Sequence, residues 1–451
     1  MPESSDQPHA NFAGYRRAAY AETVAEDAEL THVGPGTPGG EYLRRFWHPV
    51  ALTSQLTDLP LRLRILGEEL VIFRDLGGHI GLLHKHCSHR RTSLEYGVIA
   101  ERGIRCCYHG WLYDVDGTIL DTPGEPANSA IRENLRHGAY PTHEYKGLVF
   151  SYLGPPDDIP AFPIYDTMDL PSNDLVPYAI DYPCNWLQVN ENPMDPIHSV
   201  FLHTRATRAH FSPAWGALPV VEWNHLPGGT GIYLTNARRW EDFVWVRTAE
   251  WLAPNFAQPP DIYQNPDREK FFVRVGITKW TVPVDDTSCR IIAWRHFNES
   301  LVDDERSDRG AIGVDKVDFL GQSGSERSYE EGQRVPGDYE AQVSQGQITV
   351  HALEQMGQTD TGVASMRQML REGIRALANG MTPPRAAAGD NGLVPTTAGD
   401  VIIRVPQTNA DDTELRRKLA RGIGAIIVET MALPHFDRVA EIERRVRKLT
   451  A

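Results

Sequence analysis

Apolar positions between residues 45 and 157 recur in short runs that alternate or cluster, a pattern typical of β-strands. Gly67 and Gly77-Gly78 interrupt these runs where turns are expected, and Asp116-Gly117 is a hairpin signal. The predicted strands are Arg62–Leu66, Glu69–Arg74, Ile80–Leu83, Trp111–Val115 and Lys146–Leu153. This part of the chain therefore predicts a small all-β domain.

Beyond a proline-rich linker at 154–171, strand patterns mix with segments of helical period. Strands of one sheet are predicted at Gly231–Thr235, Phe243–Arg247, Phe271–Thr278 and Cys289–Phe297, and helices at Thr361–Asn379, Asp411–Met431 and Phe436–Leu449. The polar segment Leu301–Gln345 is predicted to be a surface insertion, and Met381–Gly392 a loop. The fold class predicted for the whole chain is α+β: an N-terminal all-β domain, then an α+β domain with an antiparallel sheet flanked by helices.

These patterns divide the chain into three parts. Residues 1–44 form an N-terminal segment, with a short helix expected near Tyr15–Ala25, that packs on the last domain. Residues 45–157 form the all-β domain, and residues 158–451 form the α+β domain.

Composition narrows the function classes. The chain has 451 residues, is 41% hydrophobic and 23% charged, and carries a net charge of −15, which argues against general nucleic-acid binding. It shows neither an 18-residue apolar run nor a basic, then apolar N-terminal leader, so we expect no membrane span and no secretory signal. Of its 5 cysteines, the three outside the Cys/His pairs described below are odd in number and scattered, which argues against a disulfide framework and favours a reducing cytoplasm. Cys184 and Cys289 are expected to be buried as small apolar side chains.

Two Cys/His pairs stand close together in the all-β domain. Cys87-Ser88-His89 is followed after 16 residues by Cys106-Cys107-Tyr108-His109. Two thiolates and two imidazoles are the ligands of a Rieske 2Fe–2S cluster, in which the cysteines bind one iron and the histidines the other. The alternative is a structural zinc site, but such sites usually open with two cysteines and close with two histidines, whereas each half here mixes the two.

A second candidate site lies at 185–203, which reads NWLQVNENPMDPIHSVFLH. Asp195, His198 and His203 stand on a predicted helix that begins at Asp195, with Pro196 suited to its first turn. Two histidines completed by a carboxylate would form a facial triad for non-haem Fe(II) with positions open for O2. Two histidines five residues apart are also common as ordinary core or surface side chains.

Together, the Cys/His loops and the segment NWLQ…EN-x-x-D-x-x-H-x4-H resemble the oxygenase (α) subunits of Rieske non-haem iron aromatic-ring-hydroxylating oxygenases, in the phthalate-dioxygenase-like group. The resemblance is specific over 45–205 and looser over 340–380. It implies that Cys87, His89, Cys106 and His109 bind the 2Fe–2S cluster.

The same resemblance implies that His198 and His203 bind Fe(II). The third ligand is expected to be Asp360, in QTDTGVASMRQML, although Asp360 could instead cap the helix that follows.

Two further residues have roles implied by the family. Asp195 is expected to bridge a cluster histidine of one subunit to an iron-binding histidine of the next, although it too could be a helix cap. Asn192 is expected beside the iron ligands without binding the metal.

Near the cluster, Ser88 could donate a hydrogen bond to a sulfur. Basic side chains could form a collar that docks an acidic ferredoxin-type partner, or be ordinary solvated charges: Lys85, Arg90, Arg91, Arg102 and Arg105.

The function implied is that of a terminal oxygenase. It would use O2 and electrons drawn from NAD(P)H through a separate flavin/ferredoxin-type reductase, and it would hydroxylate or O-demethylate an aromatic, carboxylated substrate, with a lignin-derived biaryl among the candidates. Family members are homo-oligomers, so a homotrimer or a multiple of a trimer is expected. The alternatives are a Rieske electron-transfer protein without oxygenase activity and a zinc-stabilised binding protein.

Overall fold

The computed structural model describes residues 25–206, 210–298, 309, 312–314, 327–407 and 410–450. The helix predicted near Tyr15–Ala25 lies outside these ranges except for its last residue, and so does much of the predicted insertion at 301–345. The described residues form an N-terminal region of small sheets and a C-terminal region with one large sheet and helices. The predicted α+β fold class is confirmed.

The strands are β1 (Trp47–Leu52), β2 (Leu61–Ile65), β3 (Glu68–Arg74), β4 (Ile80–His84), β5 (Val98–Ile99), β6 (Ile104–Arg105), β7 (Leu112–Tyr113), β8 (Ile119–Asp121), β9 (Ala139–Tyr140), β10 (Thr142–Tyr145), β11 (Leu148–Tyr152), β12 (Asp174–Tyr182), β13 (Val220–His225), β14 (Gly231–Trp240), β15 (Phe243–Leu252), β16 (Phe256–Gln258), β17 (Lys270–Val273), β18 (Ile277–Asp285), β19 (Ser288–Phe297) and β20 (Gly399–Arg404).

The helices are α1 (Ala28–Thr31), α2 (Pro38–Leu43), α3 (Ile131–Asn134), α4 (Trp186–Asn190), α5 (His198–Val200), α6 (Tyr329–Arg334), α7 (Asp338–Val343), α8 (Thr361–Ala378), α9 (Thr413–Glu429) and α10 (His435–Thr450). A π-helical turn, Phe201–Arg205, continues α5.

Three small antiparallel sheets make up the N-terminal region. Their strand orders are β1-β11-β10, β2-β3-β4-β9 and β5-β6-β7-β8. The two cysteines of the Cys/His motifs lie in a buried apolar cluster between the last two sheets, with Phe73, Ile104 and Trp111 among its members. This placement removes both thiols from water while the loops that carry the histidines reach the surface.

The large sheet has the order β12-β19-β18-β16-β15-β14-β13, and β20 pairs with both β15 and β17. Long strands such as β14 and β15 are buried along most of their length because the sheet is covered on both faces. The predicted strand Phe271–Thr278 is in fact two strands. β17 pairs with β20, whereas β18 pairs with β19 and β16, so the chain must leave one neighbour for another between Val273 and Ile277.

Helix α8 joins the N-terminal segment to the rest of the molecule. Its buried face carries Val363, Met366 and Leu370 at helical spacing. On the neighbouring face, Arg371 binds the carboxylates of Asp27 and Glu29, beside α1. Residues 27–43 therefore contact the C-terminal part of the chain, and the division into domains stays a prediction.

The two regions share a continuous aromatic core. The Phe150 ring of β11 lies 5.3 Å from Trp280 and 5.8 Å from Trp294 of the large sheet. Cys184 and Cys289 are both buried in this core, as predicted. None of the helices found among the described residues combines the length and apolar character needed to cross a bilayer.

Candidate metal centres

The first candidate centre is built from two similar loops. In each loop a backbone N–H bonds back to the cysteine carbonyl: Arg91 N to Cys87 O at 2.9 Å, and Gly110 N to Cys106 O at 3.1 Å. Both returning residues have a positive φ, 67° for Arg91 and 77° for Gly110, which closes each loop tightly. The two loops therefore close at the same offset from their cysteines, although His89 lies two residues after Cys87 and His109 three residues after Cys106.

The donor atoms of this centre suit a cluster with divided ligands. Cys87 and Cys106 are 2% and 3% exposed, and the rings of His89 and His109 lie 4.5 Å apart, nearer the surface. The His89 ring stacks on Trp111, and its Nδ1 is buried with no hydrogen-bond partner among the residues that the structure describes. A buried imidazole nitrogen with no partner is costly, and coordination to iron would satisfy it.

The hydroxyl that approaches a cluster sulfur comes from Tyr113. Its oxygen lies 2.9 Å from Cys87 Sγ. Ser88, the predicted donor, instead has its hydroxyl 2.7 Å from His137 Nδ1. That expectation is wrong because the Ser88 side chain is turned toward the neighbouring histidine.

The basic collar expected around the cluster is largely neutralised. Three of its members bind carboxylates: Lys85 to Glu69 at 2.6 Å, Arg102 to Asp114, and Arg105 to Asp121 at 2.8 Å. Arg90 and Arg91 are exposed beside the cluster loops, and the Arg90 guanidinium lies over the Tyr108 ring. Of the five predicted members of the collar, Arg90 and Arg91 are therefore the two without an ion pair to a described carboxylate.

The second candidate centre groups His198, His203 and Asp338, whose ligand atoms all lie within 4.8 Å of one another. Asp338 Oδ1 is 3.7 Å from His198 Nε2 and 3.4 Å from His203 Nε2. Two imidazole nitrogens and one carboxylate oxygen directed at one point form a 2-His-1-carboxylate set, suited to non-haem Fe(II). Burial disfavours the ionised form of Asp338, but the two histidines lower its pKa well below the ordinary value.

A π-helical turn brings the two histidines together. The five-residue spacing of His198 and His203 does not match the 3.6-residue turn of an α-helix, which would point the side chains apart. The helix starts at His198, not at the predicted Asp195, and changes at Phe201 to π-helical hydrogen bonding. This wider turn brings the rings to 5.3 Å, consistent with the use of π-turns at functional sites.

Each histidine is held through the ring nitrogen that faces away from Asp338. His203 Nδ1 lies 3.0 Å from His210 Nδ1, and His198 Nδ1 contacts the carbonyl oxygen of Asp195. Such contacts orient a ring and leave Nε2 for a metal. The Asn192 amide nitrogen lies 3.0 Å from Asp338 Oδ1 and 3.2 Å from His198 Nε2, so it stands beside the three candidate ligands.

Asp338 reaches this centre as the first residue of α7. The Gly337 N–H, just before the helix, is bonded by the Glu340 carboxylate at 2.8 Å, and Arg327 pairs with Glu340 at 2.7 Å. The Gln188 amide of α4 donates to the Gln342 carbonyl at 2.9 Å, which ties α7 to the segment that carries the histidines. Part of the predicted surface insertion is therefore a buried contributor to the site.

The predicted third ligand, Asp360, is not among the grouped side chains. Its carboxylate accepts the Gly357 N–H at 2.6 Å, just before α8, so it serves a backbone turn. Asp195 also bonds backbone: its Oδ1 accepts the N–H groups of Ile197 and His198 at 2.9 and 3.3 Å. Its other oxygen lies 3.5 Å from His198 Nδ1, and the side chain is 32% exposed. Asp195 is thus both a cap and a neighbour of one imidazole.

Two cavities meet at this centre. An inner cavity of about 100 Å³ lies against the large sheet and is lined mainly by apolar and aromatic side chains, including Tyr178, Phe211 and Trp215. An outer cavity of about 390 Å³ is lined by carboxylates, including Glu191 and Glu354. Asn192, Asp195, His198 and Asp338 line both.

Sequence patterns did not point to Asp338. It follows Pro336-Gly337, a helix-start signal, but it lies in a polar segment without a recognisable ligand spacing and 146 residues after Asn192. Asp360, in contrast, lies in QTDTGVASMRQML, the segment that resembles the one expected to supply the third ligand. His210 was also missed, because a lone histidine carries no spacing signal.

The chain is similar to known proteins along most of its length. Residues 46–142 match the family described as the Rieske [2Fe-2S] domain. The chain is 40% identical to the tert-butanol monooxygenase / tert-amyl alcohol desaturase oxygenase subunit of Aquincola tertiaricarbonis, over 98% of this chain and 96% of that protein. It is 38% identical to the phenoxybenzoate dioxygenase subunit alpha of Ectopseudomonas oleovorans, over 86% and 93%.

Solved structures agree on the fold. Dicamba monooxygenase bound to dicamba superposes with a TM-score of 0.55 at 18% identity, covering 75% of this chain and 99% of that one.

Replacing Tyr113 by Phe should lower the reduction potential of the cluster. The hydroxyl hydrogen bond to Cys87 stabilises the more negative, reduced state; its loss, at about 1 kcal/mol, corresponds to about 40 mV for a one-electron couple. Potentiometric titration of the visible absorption measures the change. Ser88→Ala, which removes a hydroxyl that faces His137, is the matched control, and an equal shift in both variants would contradict the assignment.

Asp338→Asn and Asp360→Asn separate the two candidate third ligands. The first should reduce the iron content from about three to about two per chain, because only the mononuclear site loses its charged ligand. The second should leave the iron content unchanged. Metal analysis and the cluster spectrum read both sites, and loss of mononuclear iron from the Asp360 variant alone would reverse the assignment.

Proposed function

Because the chain belongs to the oxygenase subunits of the Rieske non-haem iron oxygenases, we propose that it oxidises a small carboxylated substrate with O2 and electrons from a separate flavin/ferredoxin-type reductase. Proteins of this family carry a 2Fe–2S cluster and a mononuclear iron. We assign Cys87, His89, Cys106 and His109 to the cluster.

The mononuclear iron is assigned to His198, His203 and Asp338. The observation that supports this assignment is their convergence within 4.8 Å at the mouth of an apolar cavity. Iron held by three such ligands on one face keeps coordination positions open for O2. The protein's part is to orient the two imidazoles through Asp195 and His210, and to hold the substrate where water is excluded.

The inner cavity limits the size of the substrate. At about 100 Å³ it is smaller than the ~150 Å³ cavity that holds a benzene molecule in an engineered protein. A single ring or a branched aliphatic group is therefore favoured over a lignin-derived biaryl, which would have to extend into the outer cavity. The cavity wall formed by Phe211 and Trp215 suits an apolar body of this size.

The type of oxidation is proposed from the two kinds of chemistry that the relatives' names state, a monooxygenase of a tertiary alcohol and a dioxygenase of phenoxybenzoate. Monohydroxylation and O-demethylation both use one O2, two electrons and two protons, and place one oxygen atom in the product and the other in water. Dihydroxylation uses the same O2, electrons and protons but places both oxygen atoms in the product. Which bond reacts then depends on which carbon the cavity holds nearest the three ligands.

We propose that electrons reach the iron from the cluster of a neighbouring subunit, in a homotrimer or a multiple of a trimer. Asp195 is suited to this route because it is partly exposed and already contacts His198. Arg90 and Arg91 are the charges suited to docking an acidic reductase. A reducing cytoplasm is supported by the three cysteines outside the cluster, Cys107, Cys184 and Cys289, which form no disulfide in the described part of the chain.

Turnover with a surrogate reductase tests the proposed function. NADH-dependent O2 uptake and product mass should be compared for a panel of compounds. The panel contains benzoate, methoxybenzoates, a biaryl acid, and tertiary alcohols together with carboxylates of the same carbon skeleton. We expect single-ring or branched aliphatic carboxylates to support product formation and the biaryl acid to support none. Preferential turnover of the biaryl, or O2 uptake without product from every compound, would contradict the proposal.

Asp195→Asn should leave both metal sites filled but lower turnover by at least about 100-fold. Residues that hydrogen-bond to metal ligands commonly change activity by 10–100-fold, and Asp195 also lies on the proposed electron-transfer route. The amide keeps an oxygen for the Ile197 N–H, so the helix start is preserved. Stopped-flow measurement of cluster reoxidation by O2 and substrate isolates the electron step. Asp360→Asn is the control, and unchanged reoxidation in the Asp195 variant would exclude the bridge.

A further inference from the structure

A buried arginine lines the inner cavity beside the mononuclear centre. Arg238, on β14, has no exposed surface, and it shares the cavity wall with His198 and His203. One of its terminal nitrogens donates to Ser199 Oγ at 3.0 Å, and Ser199 follows His198 in the chain. The guanidinium is therefore held next to the candidate iron ligands.

The Arg238 position is rigid. Its guanidinium carbon lies 5.2 Å from the Trp215 ring and 5.7 Å from the Trp245 ring, and its other terminal nitrogen donates to the Asn236 amide oxygen. Stacking of this kind orients a guanidinium without neutralising it. The side chain is thus pre-positioned and still carries its charge.

The charge of Arg238 has no direct counter-ion in the described part of the chain. Among the residues that the structure describes, no carboxylate lies within ion-pair distance of Arg238, and its Nε is buried without a hydrogen-bond partner. The neighbouring Arg247 differs, because it donates to the carbonyls of Pro260 and Asp261 and lies 3.5 Å from Asp400. A buried charge without a counter-ion is costly, and an anionic ligand would compensate it.

Arg238 keeps its proton at neutral pH. Burial, and next the repulsion from Arg247, lowers its pKa to about 9, while Asp400 acts in the opposite direction. The adjacent Arg239 is turned away from the cavity by strand alternation and pairs with Asp412 at 2.7 Å. The two neighbouring arginines thus have separate tasks, one facing the cavity and one fastening β14 to the start of α9.

We propose that Arg238 binds the carboxylate of the substrate, and so selects anionic over neutral compounds of the same shape. This inference rests on the proposed function, because it takes the inner cavity as the substrate site. A carboxylate presents two oxygens to the guanidinium and supplies the missing negative charge. A neutral isostere would fill the same apolar space but leave the cation uncompensated.

Isosteric pairs of ligands test the proposal without turnover. Pivalate with pivalamide, and benzoate with benzamide, differ mainly in charge. Their dissociation constants would be measured by calorimetry on the metal-loaded protein, without O2 and in a carboxylate-free buffer. We expect each carboxylate to bind at least tenfold more tightly than its amide in the wild-type protein.

Arg238→Met should abolish this preference, while Arg239→Met, the same substitution one residue later, should preserve it. Arg238→Lys keeps the charge and should retain a reduced preference, because an ammonium cannot pair with both carboxylate oxygens in the same way. If the Met variant does not fold, Arg238→Gln, which also removes the charge, takes its place. Arg247 and Lys279 also line this cavity. Lys279→Met provides a further comparison, because it removes a different positive charge from the same cavity wall.

Two results would overturn the proposal. One is equal affinity for carboxylate and amide in the wild-type protein. The other is a preference that survives in Arg238→Met or disappears instead in Lys279→Met. Failure of the proposed function is distinguishable, since it would appear as absent mononuclear iron or absent reductase-dependent O2 uptake while the binding preference remained.

Discussion

The structure around the second centre depends on one carboxylate that has been removed from water. Asp338 is 6% exposed, and such a group is tolerated only if positive charge or hydrogen-bond donors replace its hydration. Two imidazoles and the Asn192 amide surround it, and a divalent cation between them would complete the compensation. The supporting contacts follow from this need, because α7 must be fastened firmly enough to keep Asp338 in place.

The two cavities that meet at Asp338 differ in charge. The outer one is lined by carboxylates, with Arg367 bound between Glu191 and Glu354. The inner one carries Arg238 against aromatic side chains. An anionic compound is repelled by the first environment and attracted by the second. The arrangement therefore suits the proposed functions of the two cavities. The substrate would occupy the inner cavity, and the partly exposed Asp195 would pass electrons from the side of the outer cavity.

Elements with a single buried face could be predicted closely from the sequence. The helix predicted at Thr361–Asn379 is observed at Thr361–Ala378, because its apolar residues recur on one side. The two Cys/His loops were equally clear, since cluster ligation leaves a local spacing. Asp338 left no such trace. Its role arises from a tertiary contact between two distant segments, whereas the spacing near Asp360 described only a turn that bonds Gly357.

With His198 and His203 assigned as metal ligands, as proposed, the turn at Phe201–Arg205 links metal affinity to local folding. A π-turn is less stable than the α-helical continuation that the same residues could adopt, and that continuation would separate His198 from His203. Binding of the metal and retention of the wider turn are therefore thermodynamically coupled. Substitutions in this turn that never touch the ion can shift its occupancy simply by changing the relative stability of the two helical forms, so metal loading becomes a property of the backbone as well as of its ligands.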